Sequence, residues 1–343
     1  MIGRSSRWTL VAVLTVLLGF ASAGIAQDLD SMLNEAHELY QRGRYDEGLS
    51  KLRMILNQDP SSEDAMRLRD AIEFRAWAKM MIQGDAHAAV VKQIMELALP
   101  AAREKGGDRE AIVALVAKLD ADDWAERANA MRQLAADHGE YVVAVLLPRL
   151  ESGSSETRAA AMEWMRRLGT QAVLPLIQAL EHDSPMITAN ALTVLGQIGD
   201  PRAQPYIAAY GAPGYPIEQV RDAAMRAMAD LGVGLFAGDA ATQMLALAEA
   251  YYRGDKAVVD PFRGVYTVWH FADGELVAHE VTRDVYHLKL AEEVLFDLLE
   301  MEPANGPARV LLASVLIAQA EAGGASDEET PLNNAAVLAA AEG

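Results

Sequence analysis

Apolar positions between residues 157 and 210 recur with the period of an α-helix, and the pattern is present twice, thirty residues apart. In the first copy the apolar stripe consists of Ala161, Met162, Met165 and Leu168. A glycine follows each stripe, at Gly169 and Gly199, where a left-handed cap commonly ends a helix. A second apolar run then follows in both copies. Each copy therefore predicts a helical hairpin.

The second copy also contains signals that begin a helix. Ser184 precedes Pro185, and Asp200 precedes Pro201, so an N-cap side chain comes directly before a proline at the first helical position. A hairpin of this size cannot bury its own apolar face, and its copies must therefore stack. The sequence predicts an all-α fold, an α-solenoid of stacked helical hairpins.

The segment GDPRAQPYI at residues 199–207 resembles the short HEAT repeats that are named after phycobilin lyases. Residues 219–232 repeat the first helix downstream, and residues 126–150 form a longer and looser copy upstream. The resemblance implies a HEAT-repeat array over residues 122–234. It is specific for the fold and weak for function, because solenoids serve many purposes.

Residues 30–60 resemble a tetratricopeptide repeat, with Ala36 where two helices touch, a turn at Gly43 and a closing Pro60. Gly48 stands where that family prefers alanine, which predicts a second helix weakened by up to about 1 kcal/mol. We expect a TPR-like helical region over residues 27–121. Within it, residues 62–99 predict two helices divided by Gln83–Asp85, and residues 108–119 predict another short helix.

A TPR-like region is also expected at residues 235–322. Its first helix is predicted at 241–254, and the partner helix, which contains Ala291, Leu295 and Leu298, begins only near Arg283. Between these two helices, residues 265–281 alternate apolar and polar side chains around Asp273-Gly274, which predicts an inserted β-hairpin.

The C-terminal part of the chain continues the array. Residues 305–320 predict the first helix of one more repeat. Residues 323–343 predict a polar linker followed by an apolar segment that needs a partner helix. The array is therefore expected to be unfinished at Gly343.

The first 26 residues have the layout of a secretory signal peptide. Arg4 and Arg7 precede an uncharged apolar run, and small residues allow cleavage after Ala23 or Ala26. An uncleaved anchor helix is the alternative, because the uncharged stretch has the length of a membrane span. In both cases we expect an extracytoplasmic location, periplasmic or secreted, and after cleavage no membrane insertion.

Composition excludes several classes of function. The 343 residues are 51% hydrophobic and include no cysteine, which removes disulfides, thiolate metal sites and a cysteine nucleophile. The 30 basic and 49 acidic residues give a formal net charge of −19. This acidic balance disfavours nucleic acid and anionic membrane surfaces as partners.

No motif predicts catalysis. The sequence contains no phosphate-binding glycine loop, no nucleophile elbow and no histidine pair at helical metal-ligand spacing. His279-Glu280 resembles the His-Glu pairs of deoxyhypusine hydroxylase, but adjacent residues of a strand point to opposite faces and cannot chelate one ion. His270 and His279 could bind a metal across the hairpin, or be solvent-facing neighbours of a buried Trp269. We predict no catalytic, cofactor or metal site, and no cofactor.

Aromatic residues allow a binding interpretation and a packing interpretation. Trp164 aligns with apolar residues of the other copies, Val194 and Ala227, which favours packing between repeats. On the predicted hairpin, Trp269 and Phe271 share one face, which either packs on neighbouring helices or exposes a ligand surface.

Two functions remain open. The first is a non-catalytic scaffold whose concave groove binds a protein or peptide partner. The second is an enzyme or chaperone similar to the phycobilin lyases, which would handle a tetrapyrrole. The export signal disfavours the second function, because the resemblance implies work on cytoplasmic-side phycobiliproteins. The identity of the partner and the oligomeric state do not follow from the sequence.

Overall fold

The structure is a computed structural model that describes residues 28–232, 238–259 and 266–323. The chain forms two compact units, one up to Lys105 and one from Gly106. The described residues are mostly helical and include one two-stranded antiparallel sheet. The fold class is therefore the predicted one, an α-solenoid class with a small β-hairpin. The predicted signal peptide and nearly all of the segment 323–343 lie outside the described residues.

The first unit consists of helices joined by short turns. They are α1 (28–41), α2 (Tyr45–Asn57), α3 (Ser62–Ala71), α4 (Phe74–Met81) and α5 (Asp85–Gly106). Its core contains the predicted contact residue Ala36 together with Leu52, Ile55 and Trp77, each at most 1% exposed. The turn between α1 and α2 lies at Gly43, whose φ is +75°. A positive φ favours glycine there.

The region after α2 differs from the prediction by one additional break. Ile72 has an extended backbone and separates α3 from α4, where the sequence predicted a single helix. Next to this break, the buried Trp77 donates a hydrogen bond from its indole nitrogen to the carbonyl of Arg69 at 3.0 Å. This bond satisfies a carbonyl at the end of α3, which the broken helix no longer pairs.

The structure explains why residue 48 is a glycine, which the resemblance to a tetratricopeptide repeat does not. A Cβ atom at this position would lie 2.6 and 2.7 Å from two ring carbons of Tyr40. The Tyr40 ring cannot easily move, because it is buried and its hydroxyl is hydrogen-bonded to Nδ1 of His87 at 2.6 Å. Glycine therefore permits the close approach of α1 and α2.

We expect Gly48→Ala to destabilise the protein, although alanine has the higher helix propensity. Propensity alone would stabilise α2 by up to about 1 kcal/mol, whereas overpacking typically costs about 1 to 3 kcal/mol. Chemical denaturation measures the difference in the free energy of unfolding between the variant and the parent. Gly153→Ala is the matched control, because its Cβ meets no atom within 4 Å. If Gly48→Ala proved more stable than the parent, the Tyr40 contact would be unimportant.

The HEAT-like part of the second unit alternates longer first helices with short second helices. The first helices are α7 (Trp124–Gln133), α9 (Ser155–Leu168), α11 (Pro185–Ile198) and α13 (Glu218–Leu231). The second helices are α8 (Val142–Leu146), α10 (Val173–Gln178) and α12 (Gln204–Tyr210). The short helix α6 (Arg109–Lys118), capped by Asp108, precedes them and packs on α7 and α8. Both predicted hairpins within residues 157–210 are confirmed.

The turn between α11 and α12 shows what the segment GDPRA does. Gly199 ends α11 in the left-handed conformation, and the Asp200 side chain accepts a hydrogen bond from the backbone N–H of Arg202 at 2.9 Å. Asp200 also forms a buried ion pair with the Arg202 guanidinium at 2.8 Å. Arg202 in turn donates to the carbonyl of Thr170 in the preceding hairpin at 3.1 Å. The motif therefore caps one helix and connects two repeats.

The Ser184 side chain was predicted to cap α11, but it has a different hydrogen-bond partner. Pro185 occupies the first position of α11 as expected, but the Ser184 side chain caps no backbone N–H of that helix. Its hydroxyl instead donates to the Glu151 carboxylate at 2.5 Å. Ser184 therefore links its own hairpin to the end of the preceding one.

The rest of the second unit completes the sequence of elements. It contains α14 (Ala240–Tyr252), β1 (Thr267–Ala272), β2 (Glu275–Glu280), α15 (Arg283–Met301) and α16 (Gly306–Gly323). Asp273 and Gly274 form the turn of the hairpin, both with positive φ, as the sequence predicted. The helices α14 and α15 pack together, and α16 packs on α15. Across the described ranges, none of the helices combines the length and apolar character of a membrane span.

The strand β1 lies between the HEAT-like second helices and α15. On one face, the Trp269 indole donates to the Glu140 carboxylate at 2.9 Å, and the Phe271 ring lies 5.2 Å from the His182 ring. On the other face, His270 Nδ1 lies 3.3 Å from a carboxylate oxygen of Glu293 on α15. The chain thus covers part of the second-helix face of its HEAT-like repeats with its own inserted hairpin.

Candidate functional site

One part of the second-helix face remains open as a cavity of about 730 Å³. It is bounded by the ends of α10 and α12, the loop before α13, and the C-terminal half of α15. We call it the tyrosine–carboxylate cavity, and its polar lining consists of Gln178, Glu181, Tyr206, Tyr210, Tyr215, Asp297 and Glu300. Its apolar lining includes Met244 and Met301. A concave site of this size suits a small molecule or several side chains.

The floor of the cavity is a hydrogen bond between two repeats of the chain. The hydroxyl of Tyr206 on α12 donates to Oδ2 of Asp297 on α15 at 3.0 Å. Tyr206 is 7% exposed. Burial, followed by the nearby negative charge of Asp297, raises the pKa of the Tyr206 hydroxyl well above its usual value. Tyr206 therefore stays protonated and acts as a donor.

Two further tyrosines form one wall. Tyr210 on α12 and Tyr215 in the following loop have ring centroids 5.0 Å apart, with planes inclined by 47°. The Tyr210 hydroxyl donates to the carbonyl of Leu180 at 2.8 Å, which fixes the ring against the end of α10. Both aromatic faces carry the negative potential that attracts cations.

Carboxylates supply the charge of the cavity. Burial, together with the charges of Glu181, Glu293 and Glu300, raises the pKa of Asp297 to about 7 against the opposing effect of the Tyr206 hydrogen bond. Burial also raises the pKa of Glu181, with Glu293 and Glu300 adding to the effect. Among the residues that line the cavity, none is basic. The site therefore concentrates negative charge without a lining cation.

Gln178 contributes a side-chain amide to the lining of the cavity. It is 8% exposed at the end of α10 and lines the tyrosine–carboxylate cavity as well as a small adjoining space beside Trp269. Within the described residues its side-chain amide has no hydrogen-bond partner. This amide can therefore hydrogen-bond a ligand that enters the cavity.

The raised pKa of Asp297 predicts how stability depends on pH. An unfolded aspartate has a pKa of about 3.9, so between about pH 4 and pH 7 the folded state binds more protons at this site. The stability that this difference contributes is fully present below about pH 4 and is lost as the pH rises through about 7. We expect Asp297→Asn to be more stable than the parent at pH 8, by on the order of a few kcal/mol.

The measurement is the free energy of unfolding from pH 4 to pH 8 for both proteins. The decline with rising pH should be shallower in Asp297→Asn, and part of it should remain because Glu181 titrates in the same direction. Asp230→Asn, at an exposed position of α13, is the control for removal of a carboxylate. A variant that matched the parent at pH 8 would show that Asp297 is not a buried acid of high pKa.

The candidate residues of the sequence analysis lie beside this cavity or away from it. The rings of His270 and His279 lie 4.8 Å apart; His270 is partly buried and paired with Glu293, whereas His279 is exposed. His279 and Glu280 are adjacent in β2, as expected. Within the described ranges, no group of three His, Asp or Glu side chains is placed to hold a metal ion.

The aromatic candidates pack against other side chains of the fold. Trp269 is 3% exposed and contacts the HEAT-like helices together with Phe271, which agrees with the packing interpretation. Trp164 is only partly buried on α9, with the Arg167 guanidinium 5.2 Å from its ring centre. The equivalent Val194 and Ala227 are fully buried, so this position belongs to the packing between repeats.

Sequence reasoning missed the residues of the tyrosine–carboxylate cavity. One available signal is the spacing of Tyr206 and Tyr210, four residues apart on one helix face. Another is the spacing of Asp297 and Glu300, three residues apart on the face of α15 that approaches α12. Neither pair indicates by itself that the two faces meet, because the helix α14, which packs on both α12 and α15, brings them together.

The first unit has a cavity of its own, of about 810 Å³. It is lined by α1 and α4 and includes both acidic and basic side chains, among them Glu73, Arg75 and Lys79. These three side chains are exposed and carry charges of both signs. The lining of this cavity therefore selects a charged ligand less clearly than the lining of the tyrosine–carboxylate cavity does.

Comparison with protein families identifies one repeat. Residues 157–182 match the family described as PBS lyase HEAT-like repeat. The match contains most of α9, all of α10 and the turn that follows, which together form one hairpin. The predicted resemblance to this type of HEAT repeat is thereby confirmed. The search of curated proteins finds no match for the chain.

Proposed function

We propose that this protein, which carries a PBS lyase HEAT-like repeat, is an exported non-catalytic scaffold that binds a segment of a protein or peptide partner. The observation that carries the proposal is the open tyrosine–carboxylate cavity on the second-helix face of the repeats. Stacked repeats commonly use such a face for binding. The inserted hairpin covers part of this face beside the cavity.

Handling of a tetrapyrrole is the second candidate, and the name of the matched repeat is the observation that favours it. The chemistry of the cavity is less favourable to it, because tetrapyrroles carry carboxylate side chains. Glu181, Asp297 and Glu300 would repel such groups. A coloured purified protein with bound pigment would favour this second function over the first.

Site-specific photocrosslinking in cells tests the partner proposal. Benzoylphenylalanine replaces Met301 at the rim of the cavity or, as a control, Met225 on α13; the two methionines are similarly exposed, at 47% and 51%. We expect one discrete protein adduct from position 301 and none from position 225. The adduct should disappear when Ala209→Trp fills the cavity. Equal adducts from both positions, or adducts that persist with Ala209→Trp, would contradict the proposal.

Export is tested separately by N-terminal sequencing of the protein from the cell envelope or medium. Cleavage of the proposed signal gives a first residue of Gly24 or Gln27. The cleaved protein would have a formal net charge of −21, because Arg4 and Arg7 leave and the starting value is −19. A protein that begins at Met1 and fractionates with the cytoplasm would contradict export.

A further inference from the structure

The tyrosine–carboxylate cavity combines three features that together define a ligand. Carboxylates from α15 and from the end of α10 face one another, the rings of Tyr210 and Tyr215 form a wall, and the Gln178 amide has no partner among the described residues. The acidic cluster alone would specify only that the ligand is positively charged. The aromatic wall and the buried amide restrict the shape and the hydrogen bonding of the group that fits.

A guanidinium group satisfies all three features. It is planar and stacks on aromatic faces, and it has five N–H donors in a fixed arrangement. Two of these donors can pair with one carboxylate, such as that of Glu300, and a third can donate to an amide oxygen, such as that of Gln178. An ammonium group has the charge but lacks the planar face.

We infer that the tyrosine–carboxylate cavity binds an arginine side chain that an extended segment of the partner presents. The inference rests on the proposed function, of which it specifies the ligand chemistry. The cavity volume of about 730 Å³ leaves room for neighbouring residues of the segment. The apolar lining, with Met244 and Met301, suits the aliphatic stem of arginine and the residues beside it.

Calorimetric titration of the full chain tests this inference with defined probes. The probes are a seven-residue alanine-rich peptide with one central arginine, the same peptide with lysine, and the same peptide with citrulline, the neutral isostere of arginine. N-acetylarginine amide serves as the free small-molecule form. We expect the arginine peptide to bind at least tenfold more tightly than the citrulline peptide, and more tightly than the lysine peptide.

Variants identify the residues that bind the group. Glu300 is exposed at the rim, so Glu300→Gln should fold normally and weaken arginine binding about threefold to fivefold. Gln178→Leu keeps the volume, removes the amide and should also weaken binding of the arginine peptide. Glu110→Gln, on an exposed turn of α6, is the control and should leave affinity unchanged.

The outcomes separate this inference from the proposed function. Equal affinity for the arginine and citrulline peptides would overturn the inference, even if the crosslinking experiment identifies a partner. Tight binding of N-acetylarginine amide with no gain from the peptide would overturn the extended segment and assign the site to a free guanidinium compound. Weaker binding in Glu300→Gln and Gln178→Leu, with Glu110→Gln unchanged, would support it.

Discussion

Replacing Asp200 by alanine is expected to destabilise the second unit by about 3 to 5 kcal/mol, the usual cost of breaking a buried ion pair. Asp200 and Arg202 are each 8% exposed, and their side chains are hydrogen-bonded at 2.8 Å. Without the carboxylate, the Arg202 guanidinium remains buried and loses its charged partner, although it keeps the hydrogen bond to the Thr170 carbonyl of the preceding hairpin. The N-cap of the following turn is lost as well.

The two contributions can be separated by chemical denaturation of further variants. Asp200→Asn keeps an oxygen for the cap and removes the charge, so it isolates the ion-pair contribution. The double variant Asp200→Asn/Arg202→Met removes both charges and should recover much of the lost stability, because a buried pair often contributes little net free energy against apolar replacements. If the double variant were less stable than Asp200→Ala, Arg202 would stabilise the repeats by packing and not through its charge.

The repeat motif predicted the turn between α11 and α12 because the residues that determine this turn are adjacent in sequence. A glycine that ends a helix, an aspartate that caps the next turn and a proline in its first position are all recognisable from residues 199–201 alone. The inserted β-hairpin was predictable for the same reason, since Asp273-Gly274 adopts the two positive φ values that such a turn requires. Local signals of this kind determine where elements begin and end.

Contacts between elements were not predictable from those signals. Gly48 and the break at Ile72 depend on where Tyr40 and Trp77 lie in the fold. Beside Trp269 the strand β1 packs on both α10 and α15, whereas at the tyrosine–carboxylate cavity Tyr206 of α12 meets Asp297 of α15. Residues 91 positions apart in sequence form this contact, and no periodicity of either helix specifies it.

Gly196 lies where two first helices of the HEAT-like array, α11 and α13, approach each other closely. A Cβ atom there would lie 2.6 Å from Cα and 2.9 Å from the carbonyl oxygen of Ala227 on α13. These are backbone atoms, so no side-chain rotation can relieve the contact. The helices α11 and α13 would have to separate, although both bury apolar faces against each other.

We therefore expect Gly196→Ala to destabilise the second unit by about 1 to 3 kcal/mol, more than offsetting the helix propensity of about 1 kcal/mol that alanine gains. Because repeats interact with their neighbours, hydrogen exchange should show the largest loss of protection in α11 and α13. The double variant Gly196→Ala/Ala227→Gly should recover only part of the loss, since the Cα and carbonyl contacts remain. Full recovery would assign the contact to the Ala227 methyl group alone, and a stabilised Gly196→Ala would show that the two helices do not approach this closely.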